Sequence, residues 1–289
     1  LRNRVKIIIK SPVATLAIIA AVLVLAVFLI TAFWDDVSST VLPNTILGLY
    51  KKDFWENFLV EMHGIVFELS IIGVLILWLD SKRSKSGEIT RLREDLEDYS
   101  ALDFPEINVK KLGHIKRLNE HNIKSIDVQN LVLNGLKVKG IIAEGSRLIG
   151  LKIVEGSIVG SIFKSMKMRS SNFQKSTIKS TTFESCDLLK SKFNESICKG
   201  VDFTNSSLER AEFTNSDLQS SIFNGCDVRE AKFDGANLKH ASFYNAMHLT
   251  SELLLRANNL DYVKVSDEIM AELIAQRPDM KYQKNKGRP

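Results

Sequence analysis

Histidine and cysteine, which most often carry catalysis or bind metals, show no organised spacing in this chain. The residues are His63, His114, His121, His240, His248, Cys186, Cys198 and Cys226. Metal and redox sites often contain two cysteines with two residues between them, and no such pair occurs here. The chain also lacks a phosphate-binding loop and a dinucleotide-binding motif. The sequence therefore predicts no enzyme activity, no catalytic residue, no metal site and no cofactor, with the cysteines packed as free core thiols.

Glu68 is the residue that most needs a chemical explanation, because a long apolar run surrounds it. A carboxylate near the centre of a membrane span costs about 3 kcal/mol, so it needs a proton or a partner. Glu61, Gly64 and Glu68 share one helical face, and His63 lies beside them. One hypothesis is a homo-oligomer in which this polar face lines a seam or a pore. The alternative is a span that starts near Gly64, so that Glu68 reaches the outer headgroups.

Two apolar runs give this polar face its membrane context. Residues 13–34 contain no charge, and 22 residues at about 1.5 Å each cross a hydrocarbon core of about 30 Å. The second run, residues 59–79, ends beside Trp78, an expected interfacial anchor. A basic segment before the first run is typical of a signal peptide, but the run is longer than such a peptide needs. We therefore expect two uncleaved spans in a lipid bilayer.

The basic residues around the two runs predict their orientation. Four precede the first run and three follow the second, namely Arg2, Arg4, Lys6, Lys10, Lys82, Arg83 and Lys85. The connecting loop holds two lysines against four carboxylates. Because cytoplasmic flanks carry the excess of lysine and arginine, both termini are expected in the cytoplasm. The expected localisation is the bacterial inner membrane, as a multi-pass protein.

The net charge of +5 and the pI near 9.0 are not concentrated in one domain. Residues 146–246 contain fourteen lysines and arginines against eleven carboxylates. The membrane flanks and the C-terminal tail hold much of the remainder. This distribution argues against a nucleic-acid partner, which a clustered basic surface would indicate.

A charged segment after the second run carries a stripe of apolar residues at spacings of three and four, formed by Ile89, Leu92, Leu96 and Tyr99. The stripe predicts either a short coiled-coil seam or one amphipathic helix that packs on its own domain. Pro105 then begins a second helix, whose apolar residues are Leu112, Ile115 and Leu118. We expect this helix to form a lid. Its basic residues face solvent or anionic lipid, and they are Lys110, Lys111, Lys116 and Arg117.

A five-residue repeat determines the fold of the remaining chain. Every fifth residue from Leu148 to Phe243 is apolar, and seventeen of the twenty residues two places earlier are small. Neither a strand nor a helix has a period of five, so the chain must turn once per repeat to bury both series. Phe fills every second apolar position, namely Phe163, Phe173, Phe183, Phe193, Phe203, Phe213, Phe223, Phe233 and Phe243. If like residues stack, the coil length is a multiple of ten.

Residues 231–243 (AKFDGANLKHASF) clearly resemble the pentapeptide-repeat family. The resemblance implies an all-β, right-handed, four-sided β-helix with twenty residues per coil. Weaker matches at Ile123, Val128, Leu133 and Val138 extend the pattern backwards, and Ala143 interrupts it, so an irregular first coil is expected. Five to six coils at about 4.8 Å give a rod about 25–30 Å long.

A looser resemblance links residues 54–134 to bacterial two-span pentapeptide-repeat proteins. The segments that carry it are 61–64 (EMHG), 72–79 (IGVLILWL) and 117–119 (RLN). It brings no established activity.

The repeat pattern stops after Phe243, and short helices are expected to cap the last coil. Thr250 and Ser266 are predicted N-caps of helices at 253–257 and 268–276. Residues 253–260 (LLLRANNL) resemble the closing segment of the family, and the basic tail from Lys281 is expected to be disordered. The predicted segments are 1–83 (two transmembrane α-helices), 84–122 (helical linker and N-terminal cap), 123–247 (β-helix) and 248–289 (cap helices and tail).

Three hypotheses of function follow. The first is a membrane-anchored platform whose β-helix binds an unknown cytoplasmic protein or mediates oligomerisation. The second is an oligomeric membrane effector, in a toxin or antiphage defence system, in which the Glu68 faces form a pore. The third is DNA mimicry, implied by soluble family members that protect DNA gyrase with acidic surfaces. The basic repeat region has the wrong sign of charge for a mimic, so this hypothesis is the weakest.

Overall fold

A computed structural model describes residues 12–41 and 52–282, and the chain divides into two units, residues 1–88 and 89–289. The four N-terminal basic residues, part of the loop between the apolar runs and the end of the basic tail lie outside the described residues. The orientation predicted from those charges therefore stays a prediction.

The first apolar run forms helix α1, Pro12–Ala32, which is followed by a turn at Phe33 and a short helix α2, Trp34–Val41. The two helices are bent by 80°. Asp35 and Asp36 lie in the first turn of α2, where carboxylates favour a new helix N-terminus. The helical run thus ends at Ala32, two residues before the end of the predicted span.

The second apolar run lies within helix α3, Lys52–Asp98, which continues without a break into the charged segment beyond it. In the described part of the chain, α3 is the one unbroken helix that is long and apolar enough to cross a membrane. The bent pair of α1 and α2 passes the same test if it is one span. The most apolar stretch of α3 is wholly unburied.

Helix α4, Pro105–Glu120, covers the start of the β-helix, and Pro105 begins it as the sequence predicts. Its apolar residues Leu112, Ile115 and Leu118 are buried in the core of the second unit. The side-chain amide of Asn119 donates to the Ile142 carbonyl (2.8 Å), and its oxygen accepts from the Ile142 N–H (2.9 Å). Asn119 therefore satisfies backbone groups at the first exposed edge of the coil.

The repeat region forms coils of twenty residues. The strands are β1 Lys137–Lys139, β2 Ile142–Glu144, β3 Ser157–Val159, β4 Ile162–Lys164, β5 Thr177–Lys179 and β6 Thr182–Glu184. Two parallel sheets result, in the orders β1-β3-β5 and β2-β4-β6, and each residue pairs with the one twenty positions later. Isolated bridges continue the same register as far as Met247. The register agrees with the coil length that the family resemblance implies.

Each coil has four corners, one every five residues. All twenty-four residues at five-residue intervals from Asn130 to Asn245 have a positive φ, and only eight of them are glycine. Lys175, for example, has a φ of 55°, and the N–H of Ser176 donates across the corner to the Phe173 carbonyl. A left-handed residue at the third position is the signature of a type II turn. These corners are what direct every fifth side chain inwards.

The predicted Phe series forms two stacked columns inside the coil. In one, Phe173, Phe193 and Phe213 stack with ring centroids 4.9 Å apart. The other runs from Phe163 to Phe243 with centroid distances of 4.7–5.5 Å. The columns meet edge to face, an arrangement that the aromatic quadrupole favours. All nine Phe side chains are buried.

The small residues also point inwards, and most of them are serine. Apart from that of Ser171, their hydroxyls bond to backbone carbonyls, as in Ser206 to Phe183 (2.6 Å) and Ser196 to Phe193 (2.6 Å). Polar side chains are tolerated in the core because these bonds satisfy them.

Ala143 does not make the first coil irregular. It pairs with Phe163 in the common register, and only a cavity of about 20 Å³ lies beside it. That expectation was wrong because the backbone register does not depend on the size of one inward side chain.

The coil also continues after Phe243, contrary to the prediction. Thr250 and Ser266 cap helices α5, Ser251–Leu255, and α6, Asp267–Gln276, as expected. Between them, Asn259 pairs with Asn237 and Lys264 with Ser242, so the interval is twenty-two instead of twenty. Helix α5 is inserted at a corner and makes this coil two residues longer. The five-residue pattern is therefore shifted in the sequence and is not recognised there. The Lys281 N–H also donates to Asp261 (3.0 Å), so the tail is attached to the β-helix at this residue.

We predict that Phe193→Ala lowers the free energy of unfolding by about 3–5 kcal/mol, because it opens a cavity between two stacked rings. Urea unfolding of the full chain in detergent, followed by circular dichroism, measures this loss. The neighbouring surface change Lys192→Ala is the control and should alter stability by less than about 0.5 kcal/mol. Equal midpoints for the two variants would contradict the stacked core.

Candidate functional site

The predicted polar face of α3 includes one contact to α1. His63 Nδ1 lies 2.7 Å from the Leu59 carbonyl, and Nε2 lies 3.2 Å from Thr31 Oγ1. The Thr31 hydroxyl donates to the Val27 carbonyl at 2.9 Å, so its oxygen is available to accept from a protonated Nε2, and a protonated Nδ1 donates to Leu59. His63 therefore connects the two apolar helices, a pairing that sequence spacing alone did not predict.

The two carboxylates on this face differ from His63. Glu61 and Glu68 are exposed and make no hydrogen bond or ion pair with any residue that the structure describes. Gly64 is open, because a Cβ there would meet nothing within 4 Å. Of the four predicted residues, His63 alone is thus tied to the neighbouring helix, and Glu68 has no partner within the described chain.

The stripe of Ile89, Leu92, Leu96 and Tyr99 packs on its own domain. Leu92 and Leu96 are buried in the core of the second unit, and Ile89 packs against the same core. Tyr99 is half-buried, with Lys110 Nζ 4.5 Å above its ring. Buried leucines cannot face another chain, so the coiled-coil alternative is wrong for this stripe.

A cluster of buried polar groups at the start of the second unit was missed by the sequence reading. Lys111 is fully buried, and its Nζ donates to the carbonyls of Leu102 (2.7 Å) and Ser100 (3.1 Å). Burial lowers the pKa of this lysine. Lys111 fixes the loop before α4, so it belongs to neither of the two surfaces predicted for the basic residues of this helix.

Two further groups lie beside this cluster, the exposed Asp103 and the buried His114. The carboxylate of Asp103 accepts hydrogen bonds from Asn108 and Asn134, both at 2.8 Å, and these bonds lower its pKa. Burial lowers the pKa of His114, and Asp95, 3.5 Å away, opposes that shift. The cluster joins α3, α4 and the first coil, and it is structural.

The three cysteines are free and buried. Cys186 and Cys226 fill small-residue positions two coils apart, and their thiols donate to the carbonyls of Phe163 (3.3 Å) and Phe203 (2.9 Å). Cys198 fills an apolar position beside Ser196. Burial raises the pKa of each thiol to about 12, which suppresses the reactive thiolate.

The outer surface of the coil offers little catalytic chemistry. No group of three or more potential metal ligands occurs in the described part of the chain. His248 contacts Asp227 through Nδ1 (2.8 Å) and Arg229 through Nε2 (3.0 Å), so both ring nitrogens are occupied. Burial would raise the pKa of Asp227, but hydrogen bonds from Arg229 and His248 outweigh it and lower the pKa. The arrangement is an ion-pair cluster, without a free base.

A protein-family model described as a pentapeptide repeat region matches residues 156–233 and 176–253. Residues 156–253 of this chain belong to the pentapeptide-repeat family. The match covers the coils with the two Phe columns, where the five-residue pattern is strictest. Curated protein sequences give no match to this chain.

Several solved structures are similar to about half of this chain. One is a pentapeptide repeat protein from the thylakoid lumen of Arabidopsis thaliana, with 16% identity, coverage of 49% of this chain and 76% of that chain, and a TM-score of 0.31. HetL of the cyanobacterium Nostoc has 16% identity, coverage of 52% and 84%, and a TM-score of 0.32. QnrB1, a plasmid-mediated fluoroquinolone resistance protein, has 15% identity, coverage of 54% and 99%, and a TM-score of 0.32.

We predict that all three thiols resist alkylation in the folded protein between pH 7 and 9. A thiol with a pKa near 12 is almost wholly protonated in that range, and only the thiolate reacts. Labelling with iodoacetamide, counted by mass spectrometry, tests this. Protein unfolded in urea is the control and should take up three labels. Rapid labelling of any native cysteine would contradict the buried positions.

Proposed function

We propose that this pentapeptide-repeat protein is a non-enzymatic, membrane-anchored platform, whose β-helix binds a protein partner at the cytoplasmic face of a bacterial inner membrane. The observation that carries the proposal is the contrast between the two units. One contains a helix whose apolar stretch is unburied, and the other has a core that its own side chains fill. The first needs a lipid solvent, and the second offers only its outer surface for binding.

The filled core supports the non-enzymatic part of the proposal. Phe columns and small residues occupy the interior, so a substrate has no internal cavity to enter. Two depressions on the surface of the coil, about 340 and 320 Å³, are shallow and lined in large part by polar atoms. Ligand sites are normally deeper and more apolar than these. Flat outer faces are the kind of surface on which solenoid proteins bind partners.

The apolar helices support the anchoring part. Large apolar side chains are exposed along α1 and α3, among them Phe28, Phe67 and Val74. Such continuous exposure is costly in water and favourable in hydrocarbon. Basic residues follow the second run at Lys82, Arg83 and Lys85, which favours a cytoplasmic position for the chain beyond it.

Alkaline carbonate extraction of bacterial membranes tests the anchor. We predict that the full chain stays in the membrane pellet and that Ile72→Arg with Leu75→Arg releases it, because each arginine at mid-span costs roughly 3 kcal/mol. Ser81→Arg with Ser84→Arg is the matched control, with the same added charge and spacing beyond the apolar run. It should stay in the pellet. A wild-type chain that extracts fully into carbonate would refute the anchor.

A second candidate function, an oligomeric membrane effector, is favoured by Glu68. This carboxylate lies in an apolar helix, is exposed and has no partner among the described residues. A second copy of the chain could supply the partner, since intramembrane carboxylates usually face a bundle interior or a water-filled path. Open space at Gly64 on the same face would admit a close helix.

We predict that, if this second function holds, Glu68→Leu abolishes ion leakage from vesicles and lowers the mass of the detergent-solubilised complex. Glu68→Gln should keep part of both effects, because an amide can still hydrogen-bond across the seam. Glu94→Leu, in the charged part of α3, serves as the control and should change neither measurement. A strictly monomeric wild-type complex would eliminate the effector while leaving the platform intact.

A further inference from the structure

The ion pairs of the β-helix are distributed unevenly over its faces. Opposite charges one coil apart meet because the register places residues twenty positions apart side by side. Such pairs are Lys124–Glu144, Arg147–Asp127, Lys164–Glu184, Arg210–Glu230 and Lys232–Glu212. They lie on three of the four sides of the coil. Between residues 122 and 245, those three sides hold twelve carboxylates against twelve lysines and arginines, so they carry no net charge.

The fourth side differs, and we call it the lysine face. It consists of residues 137–140, 157–160, 177–180, 197–200, 217–220 and 237–240. Its outward positions contain five lysines and one carboxylate, namely Lys137, Lys139, Lys179, Lys199, Lys239 and Asp217. Asp217 pairs with Lys199 at 2.9 Å. The other four lysines make no ion pair with any residue in the described ranges.

The backbone aligns four of these lysines in a row. Lys139, Lys179, Lys199 and Lys239 each follow the inward residue of their repeat by one position, and strand pairing joins Lys139 to Val159 and Val159 to Lys179. Successive coils are about 4.8 Å apart, so the row is about 24 Å long. Its spacing is preset by the register and requires no ordering of loops.

The side chains between the lysines are uncharged and indicate the kind of partner. Ser157, Thr177 and Asn237 can form hydrogen bonds, and Ile197 is 41% exposed. The lysine face has no arginine for bidentate phosphate contacts, and the aromatic rings at its end, His240 and Tyr262 of the following coil, stack on each other at 4.9 Å. Uncharged donors with an exposed isoleucine suit a polypeptide better than a phosphodiester chain.

We propose that the lysine face binds an acidic polypeptide segment of the partner protein. The proposal rests on the platform function above and names its binding surface and the chemistry of its partner. Lys139 and Lys179 are two coils apart, as are Lys199 and Lys239, which is a distance of about 9.6 Å. This distance is close to the rise of seven residues in an α-helix, so carboxylates at i and i+7 of an acidic helix can engage both lysines of such a pair. Charge complementarity of this kind raises the rate of association and selects the partner.

Fluorescence anisotropy with labelled poly-L-glutamate tests the proposal on the full chain in nanodiscs of neutral lipid. The test variant replaces Lys137, Lys139, Lys179 and Lys239 with Gln, which leaves the Lys199–Asp217 pair intact. The matched control replaces Lys152, Lys175, Lys192 and Lys232 with Gln, so the net charge falls equally. We expect affinity at low salt to fall about tenfold in the test variant and less than about twofold in the control.

Three outcomes would overturn the proposal. They are equal losses in the two variants, no binding of poly-L-glutamate by wild type, and tighter binding of duplex DNA or phosphatidylserine vesicles than of poly-L-glutamate. Carbonate extraction of the same variants separates this proposal from the platform function. If the chain remains anchored but poly-L-glutamate does not bind, only the lysine face is refuted. If the chain is not anchored, the membrane function fails independently of the binding result.

Discussion

A left-handed backbone conformation at every fifth residue is the constraint on which the second unit depends. It turns the chain once per repeat, so that the large apolar residue and the small residue two places before it both point into the coil. Sixteen of the twenty-four corner residues carry a side chain, although each such residue costs about 1 kcal/mol or more in this conformation. The corner N–H groups offset part of that cost by bonding to the next coil, as Glu195 does to the Thr214 carbonyl at 2.9 Å. The stacking of coils therefore stabilises the corners that make stacking possible.

This mutual dependence explains why the inward and the outward positions of the coil differ in which residue types they accept. Inward positions accept only residues that fit the columns, so Phe, Leu and Ser recur there. Outward positions have no packing requirement, and their charges vary from face to face. Function in this unit must therefore be sought in the outward residues. In the apolar first unit Phe67 is exposed, whereas Phe193 in the coil is fully buried.

The repeat core could be predicted from sequence because its determinants are local. The period of five predicted the corners, and the alternation of Phe predicted the columns. The continuation at Leu260 and Val265 was missed, since α5 shifts the phase by two residues; their own spacing of five was the available signal. The burial of Lys111 depends on carbonyls supplied by a separate loop, and the His63–Thr31 contact joins residues thirty-two positions apart. Neither has a periodic signature. The alternatives for Leu92 and Leu96 were likewise decided only by tertiary packing.

The constant register has a consequence for how such a molecule can change its size. Removing twenty consecutive residues would bring every remaining inward side chain, corner and carbonyl into the phase that it already occupies. A deletion of five, ten or fifteen residues would instead rotate the outer surface beyond it by one, two or three sides. The β-helix therefore changes its length by whole coils. Each coil corresponds to sixty nucleotides of coding sequence and adds about 4.8 Å along the helix axis. Whole coils can therefore be duplicated or lost during evolution while every remaining surface charge stays on the same side of the β-helix.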